Sequence, residues 1–166
     1  MQADWVTKIY GEINKTKNSS DAETIQGNII VLRSLLSYGG QKESLWTVEQ
    51  ISDYIIAHRN NKNAFVQLSV IETLPILARY DIQTFCNNYL KTCLTFLLSY
   101  GLNVKGREKS VCYDTLANLY ELIDKAYYEE YMAIILKNIK TELEKKTKPF
   151  CNEIIKCLEC LRKKFQ

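Results

Sequence analysis

Apolar residues recur in this chain at helical spacing, and the helical faces they build recur in turn about every forty residues. Val66, Val70, Leu74 and Leu77 follow one another at steps of four, four and three. That spacing places them on one face of a single helix running from Ala64 to Tyr80. Asn63, at the end of the turn Arg59-Asn60-Asn61-Lys62-Asn63, is a suitable N-cap, and Asp81 lies where the helix should close. Pro75 has no N–H to donate to the carbonyl of Ile71, so a bend is expected there. Similar faces open at Ile25 (with Ile29, Leu32 and Leu36), at Val111 (with Leu119 and Leu122) and at Cys151 (with Ile155, Leu158 and Leu161). The four openers lie 41, 45 and 40 residues apart.

A period of that length is the signature of stacked helical pairs of the HEAT or armadillo kind. The pattern predicts an all-α fold: an α-solenoid of about four antiparallel helical pairs, over residues 3–39, 44–80, 81–123 and 125–165, in one segment spanning 1–166. A compact helical bundle is the alternative. Within the pairs, helix one runs from Ala3 to Asn14 with Trp5, Ile9 and Ile13 on its face. Ser20-Asp21-Ala22-Glu23 reads as a capping box opening helix two, and Gly39-Gly40 as its stop. Helix three spans Ser44 to His58 and buries Val48, Ile51 and Ile55. Asp81 caps helix five, whose stripe is Phe85, Tyr89, Cys93, Leu94, Leu97 and Leu98. Gly101 to Arg107 is the next turn, and helix six spans Arg107 to Ile123. Asp124 caps helix seven, with a buried stripe of Tyr127, Tyr131, Ile134, Ile135 and Ile139. Those tyrosines, with Tyr128, read either as core or as an exposed aromatic patch. Pro149 falls in the first turn of helix eight, where it is tolerated. The outer helices should expose Trp5, Ile9 and Ile13 at one end and Ile154, Leu158 and Phe165 at the other, so the isolated chain is expected to self-associate or to need a partner.

The charge balance excludes little globally but is uneven. Net charge is +3, yet residues 137–166 hold nine Lys or Arg against four Glu. That block reads as the solvated outer face of the last two helices, or as a dock for an acidic partner. Nucleic acid is not expected as a partner, because no binding motif appears and the lysines are not interleaved with aromatics at stacking distance. No apolar run approaches the roughly 20 residues of a membrane span. Met1-Gln2-Ala3-Asp4-Trp5 lacks the basic and apolar blocks of a secretory signal. The cytoplasm is therefore the expected compartment.

Catalytic and metal chemistry find little to work with. Cys157-Leu158-Glu159-Cys160 is a C-x-x-C with Cys151 before it, but a structural zinc site needs four ligands and the one histidine, His58, is about a hundred residues away. Within an amphipathic helix, cysteine is a small hydrophobe, and a thioredoxin-type role requires strands that the pattern lacks. Six free thiols and no metal are expected. His58 has no orienting partner in sequence, and Glu129-Glu130 and Glu142-Leu143-Glu144 point in divergent directions on a helix. No catalytic residue, cofactor-binding residue or metal ligand is assigned, and no cofactor is expected.

One stretch carries a resemblance. The segment from His58 to Ser99, with Arg59-Asn60, Lys62-Asn63, Leu74-Pro75, Leu77-Ala78, Tyr89-Leu90 and Leu98-Ser99, resembles the amino-terminal HEAT solenoid of the TOR (target of rapamycin) serine/threonine protein kinases. Lys105 with Arg107-Glu108-Lys109-Ser110 is similar to that family's charged loop, and Ile25-Gln26-Gly27 with Ile29-Ile30-Val31-Leu32 to its preceding repeat. The chain departs from the family at Cys112-Tyr113, where Ala-Phe is usual. The likeness runs from about Trp5 to Ile123. It implies a non-catalytic scaffold segment in nutrient and growth signalling, cytoplasmic or endomembrane-associated through partners. It also implies assembly with the rest of a TOR-type kinase and with a Raptor-type accessory subunit. The kinase signatures, a Gly-rich loop with a following Lys and a D-F-G, are absent from these residues. A HEAT or armadillo adaptor unrelated to kinases, in transport or trafficking, is the competing reading. A small helical enzyme or metal protein using the cysteines is the third.

Overall fold

The computed structural model describes residues 2–38, 46–145 and 152–166, and among them every regular element is helical. In chain order these are α1 (Gln2–Thr16), α2 (Ala22–Ser37), α3 (Val48–Ala57), α4 (Ala64–Tyr80), α5 (Ile82–Asn88), α6 (Leu90–Asn103), α7 (Gly106–Leu122), α8 (Met132–Glu144) and α9 (Asn152–Phe165). Single 3-10 turns stand at His58–Asn60, Lys125–Tyr127 and Glu129–Tyr131. The chain divides into two compact units, Met1–Asp81 and Ile82–Gln166.

In the first unit, α4 supplies the core. Asn63 caps it as the sequence leads one to expect, its side chain accepting from the backbone N–H groups of Phe65 and Val66. The helix continues through Pro75 to a C-cap at Asp81, and Val66, Val70, Leu74 and Leu77 are all buried. Ile25, Ile29, Leu32 and Leu36 of α2 are buried as well, and α2 and α4 lie side by side. Arg33 of α2 donates to Glu72 of α4 at 2.8 Å, across 39 residues of chain. A polar knot ties the other helices together. Asn28 Nδ2 donates to Thr16 Oγ1 at 3.0 Å and to Tyr54 Oη at 3.1 Å, linking α1, α2 and α3.

In the second unit, α7 lies along α9, and the register of their bonds fixes the direction. Ser110 donates to Glu153 at 2.8 Å, Lys156 to Asp114 at 2.6 Å, Cys157 Sγ to the Tyr113 carbonyl at 3.1 Å, and Lys164 to the Ile123 carbonyl at 2.9 Å. The numbers rise together on both helices, so α7 and α9 run parallel. The separations are 43, 42, 44 and 41 residues. Helices α6 and α8 are related in the same way. Asn138 Nδ2 donates to the Leu98 carbonyl at 2.8 Å, and Lys145 to the Leu102 carbonyl at 3.2 Å, across 40 and 43 residues.

Helix α6 meets α7 at a glycine. A Cβ on Gly101 would stand 3.0 Å from Cε2 of Tyr113 and 3.3 Å from Cys112 Sγ, so a larger residue would hold the two helices apart. The chain then turns through Val104 and Lys105 and re-enters helix at Gly106, whose φ of +56° is the left-handed conformation that glycine adopts cheaply.

Several local expectations are corrected. The α2 cap is Asp21, which accepts from Thr24 N–H and Oγ1, and not a Ser20–Glu23 box. The capping box belongs instead to Thr47 and Gln50 at the start of α3, where Val48 is only half-buried. Helix five is two helices separated at Tyr89, although its N–H and carbonyl both keep their helical partners, Phe85 and Cys93. The turn after α6 is shorter than Gly101 to Arg107, because Gly101 to Asn103 are still helical. Asp124 caps a 3-10 turn, and α8 starts only at Met132.

Three faces are also corrected. On α1 the buried face is Val6, Tyr10 and Ile13, and Trp5 is exposed. Near α8 the buried residues are Tyr128, Ile135, Asn138, Ile139 and Glu142, whereas Tyr127 and Ile134 face solvent and Tyr131 is half-buried. On α9 the face is Ile154, Cys157 and Leu161, not Ile155 and Leu158 with Leu161. Each helix has two apolar stripes of similar length, and packing against a neighbour selects one: Cys157 is held by α7. Of the residues expected to be exposed at the outer helices, Ile13 and Ile154 are therefore core, whereas Trp5 and Phe165 are exposed. Gly39-Gly40, Ser44, Pro149 and Cys151 lie outside the described residues.

Candidate interaction surface

The residues with chemical potential are mostly absorbed by packing. His58 stands edge-on to the Tyr54 ring at 5.0 Å, and partial burial pushes its imidazole pKa down from the ordinary value. Cys86, Cys93, Cys112 and Cys157 are buried free thiols, and Cys160 is a half-buried one. Cys112 Sγ donates to the Leu97 carbonyl at 3.2 Å and Cys157 Sγ to the Tyr113 carbonyl, as small core residues do. Burial raises the Cys86 thiol to about 11, away from the thiolate a nucleophile needs. Among the described residues no three His, Cys, Asp or Glu side chains are grouped as metal ligands.

The carboxylates behave differently from one another. Glu142 is buried on α8, and Lys109 of α7 donates to its Oε2 at 2.7 Å while Lys145 pairs with Oε1. A buried carboxylate held by two cations is costly to break, because either partner would be left uncompensated. Glu144 is exposed beside Lys140, and Glu129 and Glu130 are exposed near Tyr131. The basic block of 137–166 is thus partly structural: Lys145, Lys156 and Lys164 each reach across to α6 or α7.

The tyrosine cluster separates in the same way. Tyr128 is fully buried, donates its hydroxyl to the Leu119 carbonyl at 2.6 Å and meets Tyr120 edge-on at 5.3 Å. Tyr127 remains at the surface. Asn138, which the helical pattern alone did not single out, holds a buried relay: it accepts from the Tyr113 hydroxyl at 2.8 Å while donating to Leu98. Its signal in sequence was position, since it lies three residues after Ile135 on the same face.

The described residues also form concave surfaces, one in each unit among them. In the first unit a cleft of about 540 Å³ is lined by Gly11, Asn14, Lys17, Trp46, Gln50, Asp53 and Tyr54. The Lys17 ammonium sits 5.8 Å from the Trp46 ring centre, within cation–π range. In the second unit a groove of about 310 Å³ runs between α6 and α8, with Leu94, Leu98 and Leu102 on one side and Tyr131 and Ile134 on the other. Ile134 is 58% exposed. Among the described residues no helix is long and apolar enough to cross a membrane.

No family model matches the chain, and no solved structure matches it. A stretch of 96 residues, 58% of the chain, is 28% identical to the Serine/threonine-protein kinase mTor of Drosophila melanogaster, and the match spans 4% of that protein's length. The chain is thus helical in every regular element of its described residues and similar in sequence to a small part of a TOR kinase.

Proposed function

We propose that this chain is a non-catalytic HEAT-type scaffold segment of a TOR-family kinase, working in protein–protein assembly. The observation that carries the scaffold reading is the register of bonds between side-by-side helices. Pairs such as Lys156–Asp114, Asn138–Leu98 and Arg33–Glu72 join residues 42, 40 and 39 positions apart. Bonds at one repeat's separation are what stacked helical pairs produce, since each repeat touches its neighbours. The TOR assignment rests on the 28% identity. On this reading the chain holds its partners, among them the rest of a kinase and a Raptor-type subunit, in the cytoplasm or on endomembranes.

The test is purification of the native polypeptide with antibodies against this segment, followed by mass determination and identification of bound subunits. Recovery in a complex with a TOR-type catalytic region, in the same chain or tightly bound, is the expected result. A native polypeptide free of any TOR component, assembled with transport or trafficking factors, would overturn it in favour of an unrelated adaptor.

A further inference from the structure

We propose that Ser110 is a phosphorylation site for a serine/threonine kinase that reads basic residues, and that its phosphate loosens the start of α9 from α7. The proposal stands independently of the TOR assignment. Ser110 closes the charged stretch Lys105-Gly106-Arg107-Glu108-Lys109-Ser110, with Arg107 three residues before it and Lys109 next to it. A kinase whose substrate cleft carries carboxylates gains charge-assisted hydrogen bonds from cations at those places, and the planar guanidinium of Arg107 can make two at once. Lys105, Gly106 and Arg107 are exposed, and Ser110 is half-buried. Helix α7 starts there with Lys105 as an N-cap that makes no side-chain bond and with Gly106 at a φ of +56°. A first turn without a capping side chain frays readily, which lets this stretch open into the extended form a kinase cleft takes.

The bond that Ser110 makes gives the phosphate its effect. Its Oγ donates to Glu153 Oε1 at 2.8 Å, from α7 to the first turn of α9. In the transfer the Oγ–P bond forms and the bond between the γ-phosphorus of ATP and its bridging oxygen breaks. ADP leaves with that electron pair, and the hydroxyl proton passes to the kinase's base. Ser110 then has no proton to donate. It carries instead a charge of about −1.5 to −2 at pH 7, against the carboxylate it had bonded. Two nearby cations are already paired, Lys109 with Glu142 at 2.7 Å and Lys156 with Asp114 at 2.6 Å. Arg107 is exposed one turn back, so a contact from it to the phosphate is screened by water and offsets the repulsion only in part. The bonds from Cys157 to Tyr113 and from Lys164 to Ile123 lie further along α9 and do not involve Ser110. The loosening is therefore confined to the start of α9.

Both halves are tested by incubating the chain with ATP and the catalytic subunit of cyclic-AMP-dependent protein kinase, which reads basic residues. Mass spectrometry should place phosphate on Ser110. Arg107→Ala should lower the initial rate at that site at least about tenfold, the worth of one hydrogen bond to a charged group. Amide exchange over residues 156–160 should quicken roughly fivefold in the phosphorylated chain. In Glu153→Gln the same phosphate should change exchange less than about twofold, because the like charge is gone. A thermal melt before phosphorylation confirms that each variant is folded. No phosphate on Ser110, a rate indifferent to Arg107→Ala, exchange unchanged by the phosphate, or equal loosening in Glu153→Gln would each overturn the proposal.

Discussion

The hydroxyl of Tyr113 and the side-chain amide of Asn138 form a buried bridge in which each end of the amide is used. Tyr113 donates to Oδ1 at 2.8 Å, and Nδ2 passes the bond on to the carbonyl of Leu98. Three helices meet at this one residue. Asn138→Ala would leave a buried hydroxyl and a buried carbonyl each short of a partner, at about 1–3 kcal/mol for an unmet group, so a loss of roughly 2–4 kcal/mol is expected. Asn138→Leu combined with Tyr113→Phe should recover part of it, because both polar ends of the pair are then removed. Urea melts of the two variants beside the native chain provide the measurement, and equal losses for the single and double changes would contradict the bridge.

Tyr120 and Tyr128 make a matched contrast. Both rings are buried and touch edge-on, yet the Tyr128 hydroxyl has the Leu119 carbonyl and the Tyr120 hydroxyl has no hydrogen-bond partner. Tyr128→Phe should cost about 0.5–1.5 kcal/mol, the net value of one hydrogen bond. Tyr120→Phe should be neutral or stabilising, since it removes a desolvated group that gains nothing. Denaturant midpoints that rank the two variants the other way would show that the hydroxyls are used differently.

In the first unit, Leu74 is completely buried on α4. Leu74→Ala should cost about 2–5 kcal/mol, the usual range for emptying a core leucine site. A shift of the urea midpoint equivalent to less than about 0.5 kcal/mol would place the core elsewhere, since surface changes stay within that range.

His58 gives the first unit a pH dependence of known sign. Burial lowers its folded pKa from the ordinary 6.5, so the unfolded chain takes up a proton more readily. The contribution of the neutral ring is fully present above pH 6.5 and declines as pH falls through that value toward the folded pKa. The ring is only half-buried, so the effect is small. Stability should fall slightly more between pH 7.5 and pH 5.5 in the native chain than in His58→Gln. Parallel curves would show that this imidazole contributes nothing.

Much of the helical content was legible because it rests on local patterns. The run Val66, Val70, Leu74 and Leu77 states its own face, and Asn63 before it has the side chain a cap requires. What sequence reasoning misplaced was the choice between competing stripes. Ile155 and Ile154 are equally apolar, and only the bond from Cys157 to α7 explains which side turns inward. The entry to α8 failed for a related reason. Asp124 is an acceptable cap, but the chain first makes two 3-10 turns that bring Tyr128 inside. Asn138 and Glu142 were invisible because a polar residue on an inner face is explained only by its partners, Tyr113 and Lys109.

The parallel register of α7 and α9 also bears on how the second unit folds. The bonds Ser110–Glu153, Lys156–Asp114, Cys157–Tyr113 and Lys164–Ile123 close 41 to 44 residues of chain. Closure entropy grows only with the logarithm of loop length, and folding rate follows the mean sequence separation of contacts. Adding further helical pairs of the same register would lengthen the protein without lengthening any closure. The search that forms one pair of neighbours would be the same search at every step.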